Sequence, residues 1–259
     1  MLPVLLLHKQ QMRDKWIKKI VETLLSPLEF SGEHRRKQWE KGWKQNFVEG
    51  NLMPHYFGKY PVVRKDGEFI EAPEGFEYQQ LVNLENEVFE KYLKAESIVE
   101  VGCGTGHNLV RLKDINPTAT IYGLDWVDSS VSGVNKLGFK GVRFDMFQPE
   151  GFDFKDKSVF TMASLEQLGD RFKPFVDYIM SQKPTICVHL EPIEELMGDS
   201  LLDYLQIEYM KKRKYLTGFL TYLRELEKNG KIEIIEASRN GVGSLFLEGY
   251  SLVVWKPTR

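Results

Sequence analysis

Apolar positions along the chain change their spacing near residue 96. Before that point they recur at helical intervals. Ile17, Ile20, Val21 and Leu24 alternate with Lys15, Lys18, Lys19 and Glu22, and Pro27 closes that helix. Trp39 and Trp43 fall one turn apart within a helical stretch at 33–47, and Leu81, Leu84, Val88 and Tyr92 share a face within 77–93. Between these stretches, Asp66-Gly67 marks a hairpin or turn. From residue 97 on, short runs rich in branched and aromatic residues appear at 97–101, 120–125, 141–144, 158–163 and 184–190. Helices are predicted to start between them near Gly106, Asp128, Gln167 and Pro192. That alternation is the pattern of a parallel sheet covered by helices. A long helical region at 195–228, weakest at Gly218, leads to two alternating strands at 231–236 and 244–255, joined through Gly241 and Gly243. The predicted architecture is α/β: a Rossmann-like sheet over 96–259, preceded by a helical extension over 1–95 that covers the acceptor side.

Composition narrows the function classes. The chain has 259 residues, enough for a full core without staples, and its net charge of −2 gives no reason to expect general nucleic-acid binding. The run Lys211-Lys212-Arg213-Lys214 would spread around a helix, mostly as solvated surface. Cys103 and Cys187 are too few for a disulfide framework and lack metal-site spacing, so both are read as reduced, buried side chains of a cytoplasmic protein. No apolar run reaches the ~18 residues of a membrane span, and no signal-peptide pattern is expected at the N-terminus. Oligomeric state is not legible.

The chemistry concentrates at strand ends. Ile98 to Val101 runs into Gly102-Cys103-Gly104-Thr105-Gly106-His107-Asn108, a G-x-G-x-G turn. A nicotinamide or flavin site spaces its glycines G-x-G-x-x-G to seat a pyrophosphate, so this spacing disfavours a dehydrogenase. Glu100 sits at the end of the strand, where its carboxylate can meet an ammonium. Asp125 closes the next strand, where an acid can accept hydrogen bonds from both hydroxyls of a ribose. Together the loop, the strand and the spaced acid resemble the S-adenosylmethionine (SAM) site of class I methyltransferases.

The resemblance implies a seven-stranded sheet and SAM as cofactor, held by Glu100, Gly102, Cys103, Gly104, Asn108 and Asp125. It places Asp145 and Met146 at the adenine, and Trp126 either against the adenine face or in the core. Methyl transfer would occur over the fourth strand end, Ser164-Leu165-Glu166-Gln167. That end lacks the Asn/Asp-Pro-Pro-aromatic string of enzymes acting on base or glutamine amides. Glu166 is a candidate base there, and Gln167 a substrate contact. On the fifth strand His189 and Glu191 alternate and so share a face. The preferred reading makes His189 the base, oriented by Glu166 or Glu191. A divalent-metal site and a core histidine are the alternatives, and no metal ligand is assigned. Trp39, Trp43, His55, Tyr56, Tyr60, Arg64 and Tyr78 crowd the extension, and His55 and Tyr56 are taken as acceptor contacts. Arg213 and Tyr215 can reach an anionic group on the acceptor.

A narrower likeness rests on Trp39-x-x-x-Trp43, Pro54-His55-Tyr56-Phe57, the glycine loop, Gly123-Leu124-Asp125-Trp126, Phe144-Asp145-Met146-Phe147, Leu165-Glu166-Gln167-Leu168-Gly169 and His189-Leu190-Glu191-Pro192. Together these are similar to bacterial methyltransferases of surface-polysaccharide (capsule or lipopolysaccharide) biosynthesis. The likeness implies O-methylation of a nucleotide-activated sugar, a sugar hydroxyl, or a phosphate or phosphoramidate substituent. N-methylation and a non-catalytic SAM-binding or partner-binding module remain alternatives.

Overall fold

In the computed structural model, which describes residues 2–53 and 57–258 with side chains from residue 9 on, helix α1 (Leu2–Leu25) ends just before Pro27. A short 3-10 turn at Glu33–Arg35 leads into α2 (Arg36–Glu49). Asp66-Gly67 does form a hairpin. Both residues have positive φ, 50° and 79°, joining β1 (Val62–Lys65) to β2 (Glu68–Glu71). Helix α3 (Phe76–Tyr92) follows.

The alternating region runs β3 (Ser97–Val101), α4 (His107–Ile115), β4 (Thr120–Asp125), α5 (Asp128–Lys136), β5 (Lys140–Arg143), β6 (Ser158–Met162), α6 (Lys173–Ser181) and β7 (Ile186–Glu191). It ends with α7 (Leu201–Arg213), α8 (Phe219–Lys228), β8 (Ile232–Ser238), β9 (Val242–Gly243) and β10 (Ser251–Pro257). The main sheet has seven strands in the order β5-β4-β3-β6-β7-β10-β8. Its first five are parallel, and β10 lies antiparallel between β7 and β8. The order reverses between β3 and β6, and their carboxyl ends open a crevice there, the place where such sheets bind ligands.

The sheet is buried on both faces. Val99, Leu124, Phe175, Phe219 and Trp255 pack on one side, and Ile98, Phe160, Val188, Leu109 and Leu112 on the other. Among the described residues no helix is long and apolar enough to cross a membrane.

Three departures from the sequence reading bear on the site. First, the N-terminal region is not purely a helical cover. Helix α3 puts Leu81, Val88 and Phe89 into the same core as Phe160 and Val188, so it is one of the layers of the sheet. The four-residue strands β1 and β2, too short for a period-2 signal, form a second small sheet with β9. Second, the predicted 244–255 strand begins only at Ser251. Gly243 lets the chain fold back, since a Cβ there would lie 2.2 Å from the Leu247 carbonyl oxygen, and 244–250 runs as an irregular loop. Third, the helix expected near Gln167 starts at Lys173, and Leu165–Leu168 is a 3-10 turn.

Candidate active site

The glycine loop makes the floor of the crevice. Gly102 has φ 81°, and a Cβ there would come within 2.4 Å of the Ser164 Cβ. Gly104, at φ 50°, lies under the Trp43 ring, which a Cβ would meet at 3.1 Å. The backbone therefore passes where side chains cannot fit. Glu100 is buried beneath it. Its Oε1 accepts a hydrogen bond from Asn108 Nδ2 at 2.6 Å, and its Oε2 is buried with no partner. Burial pushes this carboxyl well above the usual range, opposed by the Asn108 bond. Cys103 contributes backbone only; its thiol turns into the core, 3.5 Å from Ser130 Oγ.

Asp125 ends β4 beside the loop. Its oxygens accept the N–H groups of Gly104 (2.9 Å) and Val127 (3.1 Å), and burial raises its pKa to about 6. Trp126 packs on Phe147, with ring centroids 5.5 Å apart. Asp145 accepts the Phe147 N–H at 2.9 Å, an Asx turn that fixes the loop after β5. Arg36 ties the two strand ends together: it donates to the Trp126 carbonyl at 3.1 and 2.9 Å and pairs with Asp145 at 3.7 Å. Between them lies a narrow apolar slot of about 70 Å³ whose lining includes Trp126, Asp145, Met146 and Phe147.

The slot opens past Gly102, Trp39, Trp43 and Ala163 into a larger cavity of about 450 Å³. Glu100, Gly104 and Asn108 line it, as do Glu166, Tyr209, Arg213 and Tyr215. At the end of β6, Ala163 holds a left-handed conformation, φ 47°, that side chains avoid. Glu191 pins the turn that follows by accepting the N–H groups of Ser164, Leu165 and Glu166 at 3.1, 3.0 and 3.3 Å. Its own pKa rises to about 7 through burial. Glu191 thus positions Glu166 rather than facing the cavity itself. Glu166 faces it, half-buried, and accepts from Gln167 Nε2 at 3.0 Å. Burial, then repulsion from Glu191, pushes Glu166 up to about 8; Gln167, Arg213 and Arg35 pull the other way.

His189 is not at the cavity. It is fully buried, with Nε2 accepting the Trp255 indole N–H at 2.9 Å and Nδ1 bonded to Thr161 Oγ1 at 2.8 Å. Trp255 stacks on its ring and Phe219 meets it edge-on. Alternation along β7 does place His189 and Glu191 on one face, but the Trp255 side chain of the neighbouring strand and Phe219 of α8 cover that face at His189, and only the strand's end reaches the crevice. Burial depresses the imidazole to about 3, so it stays neutral. With both ring nitrogens engaged, neither the base nor the metal reading of His189 stands. Among the described residues no cluster of His, Cys, Asp and Glu is placed to hold a metal ion.

The remaining candidates divide. Gln167, Arg213 and Tyr215 line the cavity, and Gln167 accepts from Arg35 Nη1 at 3.3 Å. His55 and Tyr56 lie outside the described residues. Arg64 is fully buried away from the cavity, donating to Gln206 at 2.7 Å and pairing with Glu248 at 3.7 Å, and so braces the 244–250 loop. Sequence reasoning missed Arg35, Arg36 and Tyr209. Arg35 lies one helical turn before Trp39 and stacks on it, a spacing that could have flagged it; Arg36 carried no signal. It also missed the 244–250 loop, where Phe246 and Tyr250 line the cavity.

No protein-family model matches the sequence, and no curated protein matches it either. Solved structures do match in fold. The N-methyltransferase NodS from Bradyrhizobium japonicum WM9, solved with S-adenosyl-L-homocysteine, superposes with a TM-score of 0.54 at 11% identity, covering 85% of this chain and 99% of its own. The chain has the class I methyltransferase fold. The riboflavin-analogue dimethyltransferase RosA from Streptomyces davawensis matches at TM-score 0.50 and 15% identity over 70% of this chain and 54% of its own. The [4+2]-cyclase SpnF matches at 0.58 and 14%, over 89% and 97%. A cyclase on the same fold means that activity must be argued from the site.

Proposed function

We propose that the protein binds SAM across the two joined cavities and methylates a hydroxyl of a small polar acceptor. The observation that carries this reading is Glu100: a buried carboxyl oxygen without a partner, in the lining of the large cavity beside the backbone of Gly102 and Gly104. A buried, unpaired acceptor costs free energy unless a donor arrives, and the ammonium of a bound amino acid is such a donor. The other groups fit the same ligand. The Asp125 carboxylate, at the end of β4 beside the loop, accepts from backbone N–H groups and can also accept from ribose hydroxyls. The slot between Trp126, Met146 and Phe147 suits a flat heterocycle, with Asp145 at its edge to accept from an amine.

SAM supplies an electrophilic methyl group when bound. The chain's own contribution is to hold the acceptor near Gly102 and Ala163 and to remove its proton. Glu166, at that strand end, takes the hydroxyl proton onto its carboxylate, with Glu191 fixing the turn that carries it. Tyrosines 60, 209, 215 and 250 give the cavity the aromatic and hydroxyl lining that suits a sugar, in keeping with the polysaccharide-methyltransferase resemblance. Helix α2 roofs the site with Trp39 and Trp43, the part of the 1–95 extension that covers the acceptor side. The test is methyl transfer from isotopically labelled SAM to a panel of nucleotide sugars, sugar phosphates and simple amines. Labelling of a hydroxyl compound supports the reading. Labelling of amines alone overturns O-methylation, and SAM binding without transfer to any compound points to a non-catalytic module.

A further inference from the structure

One cation in the large cavity is bound to no carboxylate among the described residues. Arg213, at the C-terminal end of α7, is half-buried and lines the cavity. Its Nε and Nη2 donate to the Tyr215 hydroxyl at 3.2 and 3.0 Å, and its guanidinium lies 5.1 Å over the Tyr215 ring. Among the described residues it makes no ion pair. The local fold builds this geometry: Lys214 takes a left-handed conformation, φ 51°, which stops the helix and brings Tyr215 back against the guanidinium. Tyr209 stands edge-on to Tyr215, 6.2 Å away, and stacks on Phe246, so the arginine is held on a rigid aromatic wall. A second guanidinium, Arg35, approaches from the 3-10 turn before α2; Gln167 accepts from its Nη1, and its Nε pairs with Glu29 at 3.7 Å. Lys59, exposed at the same cavity, adds a third positive charge. Glu166, in the same cavity, acts on Arg213 electrostatically, but no hydrogen bond or ion pair joins the two. A planar guanidinium with its fork partly free, oriented by packing and bonded to no carboxylate, is the arrangement that recognises an oxyanion.

We propose that the acceptor carries an anionic group, a phosphate or carboxylate, and that Arg213 anchors it with Arg35 and the Tyr209 hydroxyl alongside. This rests on the methyl-acceptor reading of the cavity and deepens it: the substrate class becomes a hydroxyl compound that also bears a negative charge.

The test uses the full chain with S-adenosyl-L-homocysteine present, titrated separately with inorganic phosphate and with acetate. Binding is followed by calorimetry and by the fluorescence of Trp39 and Trp43. Saturable binding of one anion, weakened about tenfold or more in Arg213→Gln and less in Arg213→Lys, is expected. The anion that binds identifies the source as phosphate or carboxylate. The remote surface variant Lys136→Gln is expected to bind as the wild type does. Should Arg213→Gln fail to fold, Tyr215→Phe removes the hydroxyl that orients the guanidinium and is expected to weaken binding several-fold. Undiminished anion binding in folded Arg213→Gln overturns the proposal. So does a wild-type protein that binds S-adenosyl-L-homocysteine but neither anion. Arg213-dependent anion binding without any affinity for S-adenosyl-L-homocysteine would instead overturn the cofactor reading and leave the anion site standing.

Discussion

Two residues that look alike in the sequence, Glu166 and His189, do different work because of what covers them. Glu166 opens onto the cavity and is pushed up to about 8, so its base form grows as pH rises. Turnover is therefore expected to climb with pH to a plateau above about 8. Glu166→Gln is expected to lower turnover by about 10²–10⁴-fold while leaving S-adenosyl-L-homocysteine affinity unchanged. Steady-state rates across pH check both, and a flat profile or an active Glu166→Gln contradicts the role. His189 holds Trp255 and Thr161 in the core. His189→Ala is expected to cost about 2–5 kcal/mol of stability by urea unfolding, because it opens a void and strands the indole N–H. Turnover per folded molecule is expected to persist. The placement of Glu100, Asp125 and Asp145 at strand ends beside the crevice was legible because it follows from local strand–loop order. His189 was not, because its partners lie on β10 and α8, which no local pattern places.

At the scale of elements, the alternating strands and helices of 97–190 were readable from period alone. Helix α3 and the Asp66-Gly67 turn were readable too, but not that α3 packs on the sheet or that the four-residue strands β1 and β2 join β9. The roof of the site depends on one contact that the sequence hides. Helix α2 lies on α5 because Gly133 leaves room for the Phe47 ring; a Cβ at Gly133 would sit 2.0 Å from its Cζ. Alanine normally favours a helix interior over glycine by about 1 kcal/mol. Here Gly133→Ala is expected to do the reverse, costing about 1–3 kcal/mol through overpacking and weakening cofactor binding as α2 lifts from Gly104. Thermal unfolding decides the sign, and a higher melting temperature would refute the packing account.

Across the whole molecule, buried acids lie in the crevice and behind it, Glu191 under the β6 turn and Glu85 on α3 beside Arg111. Glu85 and Glu191 rise to about 7, Asp125 to about 6 and Glu166 to about 8, chiefly through burial. Their folded pKa values exceed those of the unfolded chain, so the folded protein holds more protons and stability falls as pH rises through this range. His189 acts oppositely, but only below its ordinary 6.5, where the unfolded chain takes up a proton the core refuses. Between pH 6.5 and about 8 the acids act alone. Urea unfolding without ligand is expected to show stability declining across that window, and a rise would contradict the burial of these groups. A site so costly to keep empty is reasonable only if a ligand completes it.

The most direct test of that ligand's identity is a calorimetric titration of S-adenosyl-L-homocysteine into the wild type and Asp125→Ala, with NADH as the comparison. Saturable one-to-one binding is expected for the wild type, with none for NADH. A loss of about 1.5–3 kcal/mol is expected in Asp125→Ala, from the two ribose hydroxyl contacts removed. No saturable heat with the folded wild type, or undiminished affinity in a folded Asp125→Ala protein, would contradict the assignment of this cavity to SAM.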